Sequence, residues 1–171
     1  MTEVRRLRAD EWERWRAFRL AMLAEAPYAF GSTLAEAGAF PEDVWRERTT
    51  LLATSETRTL LLADDGADWL ASAGGYVEDD GTPHVFSVWT RPDARGNGHA
   101  EACVRAVVDW ARALGAGNVN LWATDSNATA RRLYERLGFT PNGNVQPLPS
   151  DPSLTESEWT LTLSPPAPGT R

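Results

Sequence analysis

Apolar positions recur along this chain with two periods, and the change from one to the other marks out its elements. Thr2 to Arg8 alternates in the manner of a first strand. Trp12, Trp15, Phe18, Met22 and Leu23 then recur at helical spacing among arginines and glutamates. A helix is therefore expected from a cap at Asp10 to about Glu25, ended by Pro27. Ala29 to Thr33 reads as a loop, and Pro41 sits where a first-turn proline opens a second helix carrying Val44, Trp45 and Leu51. Period two returns in Thr57–Ala63, Trp69–Val77 and His84–Thr90, separated by the turn sequences Asp64-Asp65-Gly66 and Asp79-Asp80-Gly81. Arg91-Pro92 stops the third of these runs, because proline cannot donate to a ladder.

The clearest amphipathic pattern runs from about Gly98 to Leu114. Cys103, Val107, Trp110 and Leu114 fall on one face, Glu101, Arg105, Asp109 and Arg112 on the other, and Gly115 and Gly117 close the helix. Val119–Ala123 is the next strand. Asp125, Ser126 and Asn127 are each competent caps for a helix reaching Leu137, where Gly138 stops it. Phe139 opens another strand, Pro141 to Pro152 is a proline-rich connection, Gln146 to Thr155 reads as a long structureless loop, and a last strand spans Glu158–Leu163. Strands alternate with helices yet include adjacent hairpins. That pattern predicts an α/β fold of the mixed α+β kind: one mixed sheet with helices on both faces, in one domain over residues 1–163 with a flexible tail at 164–171.

Composition narrows the chemistry more than the fold. The chain has one cysteine, Cys103, which excludes an internal disulfide and a multi-cysteine zinc site; no metal is expected. It contains no lysine, so Schiff-base catalysis, pyridoxal phosphate anchoring and a P-loop are all excluded. A formal charge of −7 argues against a nucleic-acid partner and favours cationic ligands. Acidic residues Asp10, Glu11 and Glu13 interrupt the N-terminal arginines before any apolar segment, and no apolar run approaches a membrane span; a cytoplasmic protein with no membrane partner is expected.

Two segments carry candidate chemistry. The first is Arg91-Pro-Asp-Ala-Arg-Gly-Asn-Gly-His-Ala100, where a strand ends and a helix begins at the second glycine. Glycines let successive N–H groups converge, and a fresh helix N-terminus adds unpaired donors, so the segment suits a phosphate or pyrophosphate. The dinucleotide fingerprint fails here, since Glu101 stands where a third glycine belongs. The second segment is Asn127-Ala-Thr-Ala-Arg-Arg-Leu-Tyr-Glu-Arg-Leu-Gly-Phe139, in which Asn127, Arg131 and Tyr134 are spaced i, i+4, i+7 and are expected to share one helix face. Read alone, the glycines also suit a plain tight turn, and Asn127 and Tyr134 a cap and a half-buried tyrosine.

Together, in this order and spacing, Arg95-Gly96-Asn97-Gly98-His99-Ala100 and Asn127, Ala130, Tyr134, Gly138 and Phe139 resemble the GNAT superfamily of N-acetyltransferases. The resemblance is strong over Trp69–Phe139 and weak on the flanks, and His99 departs from it by standing where an aliphatic residue is usual. It implies a mostly antiparallel sheet of six to seven strands splayed at the middle, and acetyl-CoA as cosubstrate. Backbone amides from Gly96 to Ala100 would hold the pyrophosphate, with Arg95 also binding the cofactor, Val88, Trp89 and Thr90 would pair with the pantetheine arm like an added strand, and Asn127 and Ala130 would line that arm. Tyr134 would protonate the departing thiolate, and His84 is a candidate base for the amine, with Glu78, Glu36 or a water relay as others. The implied reaction is direct attack by a primary amine, of a small molecule or a peptide, in a ternary complex. Phe30 and Ser32 are candidate acceptor contacts, and a homodimer is compatible with the family. A catalytically silent acyl-CoA-binding sensor is the alternative of a different class.

Overall fold

The computed structural model describes residues 1–164; the tail expected at 164–171 lies, past Ser164, outside them. In chain order the elements are β1 (Glu3–Arg6), α1 (Trp12–Glu25), α2 (Leu34–Gly38), α3 (Glu42–Thr54), β2 (Arg58–Asp64), β3 (Trp69–Val77), β4 (Pro83–Thr90), α4 (His99–Ala113), β5 (Asn118–Thr124), α5 (Ala128–Leu137), β6 (Thr140–Leu148) and β7 (Asp151–Thr162). The strands form one seven-stranded sheet in the order β1-β2-β3-β4-β5-β7-β6. Every neighbouring pair is antiparallel except β4 and β5, which run parallel across the α4 crossover.

Apolar periodicity decides which helix covers which face. Cys103, Val104, Val107, Val108 and Ala111 bury one side of α4 against β2, β3 and β4, and Leu133 and Tyr134 of α5 extend that core. On the other face the stripe of α1 (Trp12, Trp15, Phe18, Met22 and Leu23) meets Trp45 and Leu52 of α3 over Leu60, Leu62, Trp69 and Trp89. Phe18 sets its ring edge-on against Trp69 at 5.8 Å and Trp89 at 5.1 Å. The close seating of α4 needs a bare backbone at Gly75, where a Cβ would stand 2.6 Å from Trp110 Cζ3 and 3.0 Å from Val107 Cγ1. Gly75→Ala is therefore expected to destabilise the fold by about 2 kcal/mol through overpacking, which a denaturant midpoint measures directly.

The sheet opens in its middle. Parallel pairing of β4 with β5 is confined to His84 opposite Asn120 and Val85 opposite Leu121. Beyond it the register of β3 on β4 slips between Ser72 and Gly74, and Ser87 adopts a φ of 53°. A bulge of this kind bends its strand, so from Phe86 to Thr90 the side of β4 toward β5 has no strand to pair with among the described residues. The splayed sheet expected from the family resemblance is thus present.

Several elements depart from the expectation. Asp10 does not cap α1; a short 3-10 turn, Ala9–Glu11, precedes the helix and Glu11 closes back onto the Arg8 amide at 3.0 Å. Leu114, placed by its spacing on the buried face of α4, is exposed because it already belongs to the cap. The stretch from Gln146 to Thr155 is not a loop: β6 and β7 form a hairpin turning at Pro149-Ser150, and β7 begins at Asp151 rather than Glu158. Prolines 141 and 147 obscured this, yet β6 is the edge of the sheet, where a missing N–H faces no ladder and bulges absorb the rest.

Candidate functional site

Two helix beginnings and the gap in the sheet converge. The chain leaves β4, passes Pro92–Ala94 in a single 3-10 turn, and enters α4 through Gly96 and Gly98 at φ of 82° and 77°. Gly98 is the N-cap of α4 and supplies no side-chain acceptor, so the first-turn amides keep their donor capacity. Asn97 braces the loop instead of facing outward, its amide donating to the carbonyls of Ala94 at 3.1 Å and Arg95 at 3.3 Å. The second helix, α5, starts at Asn127, whose Oδ1 accepts from the Ala130 amide at 3.2 Å and whose NH2 group remains free of that cap.

A cavity of about 480 Å³ runs along this junction, lined among others by Val88, Trp89, Thr90, Arg95, Gly96, Gly98, His99, Ala100, Asn127 and Ala130. A second, of about 890 Å³, lies on the α1 side of the sheet and is lined by Phe30, Ser32, His84, Val88, Asn127, Ala130 and Tyr134 among others. The two share Ala29, Val88, Asn127 and Ala130, so they meet at the splay. Every residue expected to touch cofactor or acceptor therefore lines one cavity or the other, apart from Asn97 and the candidate base Glu36. His99 faces the smaller cavity and is not a core residue. The Arg95 guanidinium does not stand free over the loop; it donates to Glu25 at 2.7 Å, and Glu25 also accepts from Trp89 Nε1 at 2.8 Å.

Tyr134 is 6% exposed, and burial alone holds its phenol above the ordinary tyrosine pKa, with no hydrogen bond or charge contributing. His84 is likewise 6% exposed and stacks on Tyr76 at 5.4 Å; its Nδ1 is buried with no partner among the described residues. Arg131 fails the expectation of a shared face: it is exposed and turns back to the Asp125 carbonyl at 3.1 Å, while Ala130 takes the cavity side. Glu36 also leaves the site, since its carboxylate accepts from the Thr33 amide in the capping box of α2. Glu78 stays, lining the larger cavity and accepting from the Tyr76 hydroxyl at 3.1 Å.

Sequence reading missed three groups. Arg132 and Arg136 lie one turn apart on α5 and line the smaller cavity, where their charges suit phosphates. Arg19 lines the larger cavity, donating to Ser87 Oγ at 3.0 Å over the Phe30 ring; burial first, then Arg48, lowers its pKa to about 10. The third group is the pair Glu156 and Glu158, two residues apart on β7 and on the cavity face of the sheet. Burial raises the pKa of Glu156, against a lowering hydrogen bond from Gln146 and with a raising contribution from Asp125. A carboxylate so shifted supports folding while protonated and opposes it as pH rises through the folded pKa. Glu156→Gln is thus expected to raise the melting temperature of the ligand-free protein at neutral pH. The gain should vanish below the ordinary carboxylate range, in thermal melts taken across pH.

Among the described residues no helix is long and apolar enough to cross a membrane, and no group of three or more His, Cys, Asp or Glu side chains is arranged to hold a metal ion. The model of the acetyltransferase (GNAT) family matches residues 7–139. The chain is 31% identical over 128 residues to a mycothiol acetyltransferase of Beutenbergia cavernae, covering 74% of this chain and 40% of that protein. It is 29% identical to a mycothiol acetyltransferase of Thermobispora bispora, again covering 75% of this chain and 42% of the relative. The chain thus spans about two-fifths of the length of these curated relatives. Among solved structures, a GNAT-family acetyltransferase from Streptococcus pneumoniae superposes with a TM-score of 0.78 at 15% identity, covering 96% of this chain and 100% of that one. The yncA protein of Salmonella typhimurium, solved with its cofactor acetyl-CoA, superposes at 0.72 and 20% identity, covering 99% and 98%.

Proposed function

The chain belongs to the GNAT acetyltransferase family, and on that premise we propose that it transfers the acetyl group of acetyl-CoA to a primary amine by direct attack in a ternary complex. The observation that carries the reading is the meeting of the two cavities at Val88, Asn127 and Ala130, where the free side of β4 faces the first turn of α5. Residues of the smaller cavity fit a coenzyme: open amides and Gly98 at the start of α4 for the pyrophosphate, with Arg132 and Arg136 to balance phosphate charge. The unpaired backbone of β4 offers an extended arm a strand to lie against, and the free Asn127 amide offers it a donor.

When bound, acetyl-CoA supplies an acyl thioester activated toward amines. The amine enters through the larger cavity; a C–N bond forms as the C–S bond breaks, the amine gives up a proton, and the thiolate takes one. Tyr134 holds the proton that goes to sulfur, since its buried phenol stays neutral at physiological pH. A β4 backbone N–H on the unpaired side is a fixed donor for charge on the carbonyl oxygen. The amine proton passes toward His84, Glu78 or Glu156, all of which line the cavity it enters.

The test is thiol release from acetyl-CoA across a panel of amines, alongside calorimetric binding of the coenzyme. Coenzyme binding with amine-dependent release is expected. Tight binding without release to any amine would replace the enzyme with a silent acyl-CoA sensor, and failure to bind would remove both.

A further inference from the structure

The larger cavity has a chemistry that narrows the acceptor. Among the described residues, five carboxylates line it (Glu78, Asp79, Asp80, Glu156 and Glu158) against a single guanidinium, that of Arg19. Two of the five are not solvated surface groups: Glu156 is 7% exposed and Glu158 8%. Amides hold them in place. Gln146 donates to Glu156 at 2.7 Å, and Asn142 and Asn144 donate to the same oxygen of Glu158 at 2.7 and 2.9 Å. None of these donors carries charge, and the ion pairs among the described residues all lie elsewhere. A buried carboxylate with hydrogen bonds but no cation leaves its charge uncompensated.

A separate observation points the same way. His84 lines the same cavity, is 6% exposed, and leaves Nδ1 with no partner among the described residues. The ligand group that complements carboxylates left without a cation is an ammonium, with three N–H donors and a positive charge, and an imidazole on the same cavity wall that makes no hydrogen bond among the described residues has capacity left for a polar ligand. Position matters as well. Glu156 pairs across the sheet with Thr124 and Glu158 with Trp122, so the carboxylates step away from Asn127, at the cavity junction, along the strand. Successive same-face positions on a strand lie about 6.6 Å apart. A cation held there is one short spacer away from an amine presented at the junction.

We infer that the acceptor is a small amine carrying at least two ammonium groups, one delivered to the thioester and the other held against Glu156 and Glu158. The inference rests on the acetyl-transfer reading above and names the substrate class for it. Arg19 sets the rival: a guanidinium with no carboxylate partner among the described residues suits an acceptor bearing a carboxylate. One cation against five anions on the wall decides for the polycation.

The experiment uses three amines of equal chain length: n-butylamine, the diamine putrescine and the zwitterion γ-aminobutyrate. Thiol release from acetyl-CoA gives kcat/KM for each, and calorimetry with CoA-loaded protein gives binding without turnover. Putrescine is expected to exceed butylamine by about tenfold or more in both readouts, the effect of one charge-assisted hydrogen bond in a sheltered site, and to lose the advantage in high salt. Glu158→Gln keeps an oxygen for Asn142 and Asn144 and should bring the ratio near unity with coenzyme affinity unchanged. The wild-type series carries the test even if that variant folds poorly. Equal binding and turnover of putrescine and butylamine, or preference for γ-aminobutyrate, would overturn the cation site and leave acetyl transfer standing. Absence of thiol release with every amine, while putrescine still binds tenfold better than butylamine, would overturn the acetyl-transfer reading and leave the cation site.

Discussion

Phenylalanine in place of Tyr134 is expected to lower kcat about a hundredfold while changing the Kd for acetyl-CoA by less than about twofold. The substitution removes one oxygen and little else. The Tyr134 ring packs edge-on against Phe139 at 5.9 Å and is buried with Leu133 in the core under α5, contacts that a phenyl group keeps. What is lost is a proton at the cavity wall. Because burial raises the phenol's pKa, the neutral form persists throughout the physiological range, as the proposed acid requires. The sign has a further consequence. A phenol held high does not ionise as pH rises toward nine, so any basic limb in the rate profile must come from another group and should persist in the variant. Steady-state thiol release, calorimetry and a melting curve together check the claim. Equal kcat in the two proteins would take Tyr134 out of the mechanism.

How much of this site could be read from the chain depends on what fixed each residue's position. The Gly96-Gly98 loop and the Asn127–Tyr134 face are local: a strand end, a turn and a helix start place them, and all three are written in consecutive residues. The one error there, Arg131, comes from treating a face as a line. At about 100° per residue, Arg131 falls about 40° to one side of Asn127, whereas Ala130 and Tyr134 fall on the other. The cavity lies on their side, a fact set by how α5 packs and not by spacing. Glu156 and Glu158 were out of reach for a different reason. They reach the cavity because β7 lies antiparallel between β5 and β6, and the prolines at 141, 147, 149 and 152 disguised that hairpin as a loop. Arg19 belongs to the same class, being one of several arginines on an amphipathic helix until Ser87, at the bulge in β4, receives it. The fold was legible where periodicity was clean, in β3, α4 and β5, and blurred at the edge strand, where proline is tolerated because little depends on its missing donor.

The coenzyme cradle makes the second large prediction: Gly98→Val should raise the Kd for acetyl-CoA about a hundredfold, a loss equal to one or two charge-assisted hydrogen bonds. Two effects act at this position and must be separated. Gly98 has a φ of 77°, which any side chain occupies at a cost of about 1–2 kcal/mol, so the variant should melt at a lower temperature whatever it binds. A Cβ there would meet no atom within 4 Å among the described residues, so none of them resists it sterically. Gly115, at the other end of α4, supplies the control. Its φ is 80°, its surroundings are equally open, and it lines neither cavity. Gly115→Val should therefore lower the melting temperature about as much and leave coenzyme affinity intact. If both variants lose affinity equally, backbone strain is responsible and the cradle is not at Gly98. If only Gly98→Val loses it, the space beyond that glycine is where the phosphates lie, because the added methyl groups have nothing else to displace.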